Sequence, residues 1–392
     1  MNETTVFFEQ PRAARCRALM KPLRLGAALV ILATPSIFSA AEENPASRAL
    51  PEILTGVKKI LFYGDSLTDG SDYPDYVVNT LQREFPGVKF ERMNSAIVGN
   101  TAADLRVRLQ ADVLDRKPDL VLICIGTNDR IGNRPIADFS ADLESMVGDL
   151  IHAGIRVMLV RPSPFGNPKR EAAFQDNLAV IQEVAARHHL PVADAHQVFL
   201  DGAEAGREML GTDGIHHGKD GFAGMARAVI NAFGLKDVPL DTSVHPWPYL
   251  LLDWETSLPV SRKPPYEPGS ATGWKAFDRK AAVEQQPWAE APFAARGAWM
   301  PFAPGKAPAG MAAYGRTRYH ATSAGKAELR LGGSPPMVVW LNGRQVYATT
   351  KARGYHPDAD RLKVDIQAGD NELIVLSHYM AFVGIRPSEK RP

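Results

Sequence analysis

The chain has 392 residues, of which 45% are hydrophobic, and its 45 basic and 44 acidic residues leave a formal net charge of +1. This length exceeds one ordinary domain, so we expect two. The balanced charge gives no reason to expect nucleic acid as a partner. Beyond the N-terminal region, no stretch of sequence is long and apolar enough to span a bilayer.

Residues 1–41 have the order of a secretory signal peptide. Basic residues precede the apolar run 25–38, and small residues follow it up to Ala41, where cleavage is expected. Met20 is an alternative start, because the segment that begins there is a more ordinary signal. An uncleaved membrane anchor is a second alternative, which the short run and Pro35 disfavour. The signal predicts a secreted or periplasmic bacterial protein with no membrane span after its removal.

Cysteine content agrees with that location. Cys16 would leave with the signal, and Cys124 would remain alone, so no internal disulfide is expected. Cys124 lies in the apolar run 120–125, which predicts a buried structural thiol.

After a short leader at 42–57, residues 58–234 alternate compact apolar runs with segments of helical period. The runs predicted as strands are 60–63, 88–93, 120–125, 155–160 and a short one near 191–193. The segments predicted as helices are 72–85, a short stretch after Thr101, 136–153, a segment that holds Phe174 to Val184, and 220–233. This alternation indicates βαβ units and a parallel sheet, and in such sheets the site lies at the carboxyl ends of the strands.

The pattern changes after residue 234. From 235 to 311 prolines, tryptophans and small residues dominate without a clear period, which indicates a connector with some strand content. Residues 312–392 alternate apolar and polar side chains. Asn342-Gly343 is a two-residue hairpin signal, and Gly369-Asp370-Asn371 is a second turn. This part is predicted to be an all-β sandwich module.

Serine chemistry is suggested by the segment 64–70, which follows the first predicted strand. A serine hydroxyl such as that of Ser66 is a poor nucleophile unless a base takes its proton. Asp213 and His216 stand three residues apart before the last helix, close enough for the carboxylate to orient the imidazole. The imidazole would then act as base towards Ser66 and as acid towards the leaving alcohol.

Three donors for an oxyanion follow from the same strand ends. Gly99, after the second strand, presents a backbone N–H without a side chain in the way, and Asn128, after the third, offers a side-chain amide. With the N–H of Ser66 they would form an oxyanion hole, in which losing one donor costs about 3 kcal/mol of barrier. Each segment alone is usually a turn or a cap, so the prediction depends on the whole set.

Taken together, these segments resemble the SGNH hydrolases, also called the GDSL esterase/lipase family. The matches within 58–234 are Gly64-Asp65-Ser66-Leu67, Gly99, Gly126-Thr127-Asn128-Asp129 and Asp213-Gly214-Ile215-His216. The resemblance implies a flavodoxin-like three-layer α/β/α fold, no metal or other cofactor, and hydrolysis of esters or thioesters through an acyl-enzyme. It assigns Ser66 as nucleophile and oxyanion donor, Gly99 and Asn128 as further donors, His216 as base, and Asp213 as its orienting group.

The residues around these segments receive structural interpretations. Asp65 is expected to fix the turn, Asp69 to cap or brace the nucleophile loop, and Asp129 to bond backbone near Asn128. Arg161 either faces the cleft or forms a salt bridge. His217 stands where the family pattern leads us to expect proline or an apolar residue; a metal site at His216-His217 is disfavoured because no further ligand accompanies the pair.

The C-terminal module resembles, less specifically, jelly-roll or galactose-binding-like sandwiches that accompany carbohydrate-active enzymes. It would either bind polysaccharide through aromatics such as Tyr347 or Tyr355, or pack on the enzyme and shape its cleft, and packing is favoured. The favoured function is a secreted carbohydrate O-acetylesterase acting on a small-molecule or glycan ester. A lipase, lysophospholipase or thioesterase on the same residues is the nearest alternative. A non-catalytic glycan-binding or scaffold protein is the alternative of another class.

Overall fold

The structure is a computed structural model that describes residues 48–244, 249–277, 310–351, 353–378 and 381–387. The predicted signal peptide at 1–41 and the first part of the leader, 42–47, lie outside these residues. All described residues belong to one compact unit, Asn44–Pro392. Within the described ranges, no helix is both long enough and apolar enough to cross a membrane.

A five-stranded parallel sheet forms the centre of residues 58–234, here called the α/β region. Its strand order is β2-β1-β3-β4-β5. The strands are β1 (Lys59–Gly64), β2 (Glu91–Asn94), β3 (Leu120–Cys124), β4 (Arg156–Arg161) and β5 (Val192–Asp194). This is the order of flavodoxin-like folds, and it confirms the predicted fold class.

Helices cover both faces of this sheet. They are α1 (Ser66–Asp69), α2 (Tyr73–Glu84), α3 (Ala102–Asp112), α4 (Thr127–Ile131), α5 (Ile136–His152), α6 (Pro168–Arg187), α7 (Ala195–Glu204) and α8 (Gly221–Ala232). The strands are apolar throughout because each face has its own core: in β1, Ile60 and Phe62 join one cluster, and Leu61 and Tyr63 join the other.

Two differences from the sequence prediction have clear local causes. The second strand starts at Glu91, three residues later than expected, because Val88 still belongs to a turn in which its N–H donates to the Phe85 carbonyl. Helix α7 was not predicted. It begins directly after β5, and the Asp194 side chain caps it by accepting the N–H of Gln197.

The described residues between 249 and 387, here called the β region, form two antiparallel sheets. One has the order β13-β10-β15, and the other has the order β12-β11-β14-β9-β6-β8, with β7 paired to β9. The strands are β6 (Glu255–Thr256), β7 (Val260–Ser261), β8 (Lys275–Ala276), β9 (Met311–Ala321), β10 (Gly325–Gly333), β11 (Met337–Leu341), β12 (Arg344–Thr349), β13 (Asp360–Ile366), β14 (Gly369–Ser377) and β15 (Ala381–Pro387). The two sheets share one apolar core, to which Leu329 and Val375 contribute from opposite sheets. The C-terminal part is therefore all-β.

The hairpin and connector signals have clear structural counterparts. Asn342 and Gly343 both have positive φ, at 51° and 79°, as a two-residue turn between β11 and β12 requires. Short strands β6, β7 and β8 lie within the predicted connector and extend the sheet of β9. Two stretches of that connector, 245–248 and 278–309, lie outside the described residues.

Candidate active site

Ser66 is the first residue of α1, two residues after the end of β1. The turn needs glycine at position 64, because a Cβ there would lie 2.3 Å from the carbonyl oxygen of Cys124 on the neighbouring strand. The Asp65 side chain caps α1 and accepts the N–H of Leu67 at 3.0 Å. Since first-turn N–H groups have no partner within their helix, the N–H of Ser66 remains available for a ligand.

A continuous hydrogen-bonded chain links Ser66, His216 and Asp213. The Nε2 atom of His216 lies 2.9 Å from Oγ of Ser66, and its Nδ1 atom lies 2.6 Å from Oδ2 of Asp213. The other carboxylate oxygen of Asp213 accepts the N–H groups of Ile215 and His216, at 2.9 and 3.0 Å. The His216 imidazole is therefore placed to take the proton of the Ser66 hydroxyl, and the Asp213 carboxylate accepts a hydrogen bond from that imidazole. This is the arrangement that activates a serine nucleophile.

The carboxylate of Asp213 is suited to hold a charge. Burial raises its pKa, but the hydrogen bonds from His216 and from the Ile215 and His216 N–H groups outweigh burial, and the pKa lies below its ordinary value. The side chains of Asp213 and His216 are 46% and 49% exposed, so the site is open to solvent.

The predicted oxyanion donors lie on neighbouring loops. Gly99 is exposed and has a φ of +79°, a conformation that favours glycine. Asn128 links its loop to the two others: its Nδ2 atom donates to the Asn100 carbonyl at 3.0 Å and to Oδ2 of Asp65 at 3.2 Å. The amide of Asn128 thus lies between the residue that follows Gly99 and the residue that precedes Ser66.

Three acidic residues around the site are buried. Burial raises the pKa of Asp65 to about 7, against the hydrogen bonds that it accepts. Asp69 accepts N–H groups from Val98 and Tyr355, and burial raises its pKa to about 8. Asp129 accepts the N–H of Ala102, the first residue of α3, which lies two residues after the Asn100 carbonyl that Asn128 bonds, so it bonds backbone near Asn128 as expected.

Arg161 and His217 do not join the triad. Arg161 forms an ion pair with Asp194. The ring of His217 packs between Phe199 and Phe222, with centroids 5.4 and 5.5 Å apart. Burial lowers the pKa of His217 to about 3, so it packs as a neutral aromatic ring.

The loop that carries Asp213 and His216 has a supporting contact that was not predicted from the sequence. The N–H of Gly166, after β4, donates to the carbonyl of Gly214 at 2.8 Å, and a Cβ on either glycine would crowd the other's backbone. The position of Gly166 after a predicted strand was the available sequence signal, because parallel sheets place their functional sites at the carboxyl ends of their strands. Among the described residues, no group of three or more His, Cys, Asp or Glu is arranged to hold a metal ion.

The C-terminal aromatics make hydrogen bonds within the chain. The Tyr347 hydroxyl donates to Asp360, and the Tyr355 hydroxyl accepts from Ser334.

Comparison with known proteins finds the pattern of the GDSL-like Lipase/Acylhydrolase family at residues 62–223, which include all the residues assigned above. The acetylxylan esterase of Geobacillus stearothermophilus is 29% identical over 216 residues, 46% of this chain and 95% of that protein. A crystal structure of that esterase aligns with 46% of this chain and 96% of its own, at 26% identity and a TM-score of 0.44.

Two further relatives are each 30% identical. The uncharacterized lipoprotein YqeF of Bacillus subtilis (strain 168) matches 41% of this chain and 80% of its own length. The esterase TesA of Pseudomonas aeruginosa matches 40% of this chain and 78% of its own. The chain therefore belongs to the GDSL-like lipase/acylhydrolase family and is a hydrolase of carboxylic esters.

Proposed function

We propose that this protein is a secreted carbohydrate O-acetylesterase. Ser66 attacks the acetyl carbonyl, His216 takes the serine proton and gives it to the sugar oxygen as its bond to the acetyl carbon breaks, and Asp213 orients the imidazole. Water then attacks the acetyl-serine with His216 again as base, which releases acetate. The observation that carries this proposal is the hydrogen-bonded chain from Asp213 through His216 to Oγ of Ser66.

The negative charge that develops on the carbonyl oxygen is stabilised by the N–H groups of Ser66 and Gly99 and by the Asn128 amide. Their placement around one point is supported by the contacts of Asn128 with Asp65 and Asn100, which hold the three loops together.

The open site supports a bulky alcohol. About half of the Asp213 and His216 side-chain surface is exposed, which leaves room for a substrate much larger than its acetyl group. Val98, 45% exposed, is the residue before Gly99 and offers apolar surface to the methyl group of an acetyl ester. The similarity to an acetylxylan esterase supports an acetylated glycan, and the similarity to a lipoprotein supports a location outside the cytoplasm.

The proposal retains the division into a hydrolase domain at 58–234, a connector at 235–311 and an all-β module at 312–392. The intramolecular hydrogen bonds of Tyr347 and Tyr355 favour packing over glycan binding for the module.

The test is release of acetate from acetylated xylan, pectin and sialosides by the purified protein. We expect release from at least one polymer, and its loss in Ser66→Ala. Ser270→Ala is the matched control, because Ser270 is exposed and its hydroxyl donates to the Glu267 carbonyl of its own turn. Release from none of the polymers, with efficient cleavage of long-chain p-nitrophenyl esters, would move the assignment to a lipase.

A further inference from the structure

A segment of the β region contacts the loops of the active site. Residues 353–358, between β12 and β13, lie against Asp69 of α1 and against the 96–98 stretch that leads to Gly99. We call this part of the chain the 353–358 segment. Its contacts join residues that are more than 250 positions apart in the sequence.

Asp69 connects the two regions. Its Oδ1 atom accepts the N–H of Tyr355 at 2.6 Å, and its Oδ2 atom accepts the N–H of Val98 at 3.2 Å. The side chain is buried, so each of these hydrogen bonds replaces one that water would make. One carboxyl group therefore ties the helix that begins at Ser66, the residue before Gly99 and the β region to each other.

His356 makes a second connection two residues before Val98. Its Nε2 atom lies 3.2 Å from the Ala96 carbonyl, and its Nδ1 atom accepts the N–H of Asp358 at 3.2 Å. Since Nδ1 accepts, Nε2 carries the hydrogen and donates it to Ala96. Burial lowers the pKa of His356 to about 3, so the ring is neutral and this tautomer is retained.

Gly354 fits tightly against the same stretch. A Cβ on Gly354 would lie 2.6 Å from the Ala96 carbonyl oxygen and 2.2 Å from Nε2 of His356. A methyl group would therefore have to displace the backbone of residue 96 or the His356 ring.

Asp358 anchors the far end of the segment. This buried carboxylate accepts from Arg330 of β10 at 2.9 Å and lies 3.6 Å from Arg92 of β2. Burial raises its pKa, but the surrounding guanidinium groups outweigh burial and hold the pKa well below its ordinary value. The segment is therefore held to both regions by charge as well as by hydrogen bonds.

We propose that the 353–358 segment is part of the catalytic apparatus, in which Asp69 and His356 are positioning residues that hold the 96–99 backbone where the Gly99 N–H meets the oxyanion. The β region thus completes the oxyanion hole from outside the α/β region. This inference rests on the proposed function of Ser66 and Gly99. It predicts that disturbing the segment slows the chemical step and leaves substrate binding nearly unchanged, because Gly354 and His356 are buried behind the 96–98 stretch.

The first test compares Gly354→Ala with Gly325→Ala in the full-length chain, using p-nitrophenyl acetate. Gly325 is the matched control, because a Cβ there meets nothing within 4 Å. We expect kcat to fall by about 10- to 100-fold in Gly354→Ala, with KM within about twofold of wild type, since a small misplacement of a catalytic donor has effects of this size. Wild-type kcat in a folded Gly354→Ala would overturn the proposal.

The second test does not depend on how Gly354→Ala folds. His356→Gln keeps an N–H donor near the position of Nε2, whereas His356→Phe keeps the ring volume and removes the donor. We expect a kcat lowered by about tenfold in the phenylalanine variant and within about threefold of wild type in the glutamine variant. Equal kcat values in the two variants, whether high or low, would contradict a positioning role for the donor.

A parallel measurement on Ser66→Ala separates this inference from the proposed function. If Ser66→Ala hydrolyses the ester as fast as wild type, the proposed function fails. If Ser66→Ala is inactive while the Gly354 and His356 variants retain wild-type kcat, only the role of the 353–358 segment fails.

Discussion

Among single residues, Asn128 already uses both N–H hydrogens of its side chain in hydrogen bonds. A side-chain amide has two N–H hydrogens, and those of Asn128 point to the Asn100 carbonyl and to Asp65. An oxyanion would therefore replace one of these acceptors. The bond to Asp65 is the longer, and the raised pKa of Asp65 favours its neutral form, which is the weaker acceptor.

Removal of this donor should show its contribution directly. In Asn128→Ala we expect kcat on p-nitrophenyl acetate to fall by about 10²- to 10³-fold with little change in KM, because the donor acts on charge that develops in the transition state. Asn79→Ala is the control, since it removes an amide that bonds the Ser243 carbonyl. A KM that rises with unchanged kcat would show that Asn128 binds the ground state instead.

Among the secondary-structure elements, the nucleophile lies where a strand ends and the next helix begins without a long loop. Ser66 follows β1 by two residues, and the approach of β1 to β3 leaves no space for a side chain at Gly64. Glycine in the nucleophile turn is therefore required by strand packing, in addition to any need for close approach by substrate.

Gly64→Ala should accordingly destabilise the fold as well as the site. A Cβ 2.3 Å from the Cys124 carbonyl forces the two strands apart, and we expect the free energy of unfolding to fall by about 1–3 kcal/mol in urea denaturation. Gly87→Ala is the control, because nothing lies within 4 Å of its Cβ. Equal stability of the two variants would contradict the packing argument.

Most of the sheet could be predicted from the sequence because its signal is local. The central strands are short apolar runs, and the helices between them show a clear period, so the βαβ pattern and the strand-end segments were recognisable. Helix α7 was not, because it shares Asp194 with β5 and leaves no connecting loop to mark its start. The hydrogen bond from the Ala102 N–H of α3 to Asp129 was also not predicted, because it depends on how two loops meet.

At the scale of the whole molecule, the β region and the α/β region meet through buried polar groups. The hydrogen bond between Asp69 and Tyr355 joins residues 286 positions apart, and no local pattern indicates such a pair. The sequence suggested that Asp69 braces the nucleophile loop and that the module packs on the enzyme. It did not indicate that Asp69 itself makes the contact between the nucleophile loop and the module.

The burial of His356 between the same two regions predicts a pH dependence of the free energy of unfolding. Burial lowers the pKa of His356 from 6.5 to about 3, so between these values the unfolded chain binds one more proton than the folded chain. Stability from this group is complete above pH 6.5 and is lost as the pH falls towards 3, by at most about 1.4 kcal/mol per pH unit.

We expect the free energy of unfolding, measured by urea denaturation, to fall less between pH 7 and pH 4 in His356→Gln than in wild type. His320→Gln is the control, because its side chain is 71% exposed beside Asp370. A wild-type slope in His356→Gln would show that His356 is not buried as a neutral ring.

The proposed mechanism forms a covalent bond between the acetyl group and Oγ of Ser66. The most direct measurement is mass spectrometry of the protein, quenched with acid during turnover of p-nitrophenyl acetate, followed by proteolysis and peptide mapping. We expect one added acetyl group on the peptide that holds Ser66, and its accumulation in His216→Ala, in which no base activates the water that attacks the acetyl-serine. Turnover with no acetyl group on that peptide, together with full activity in Ser66→Ala, would contradict it.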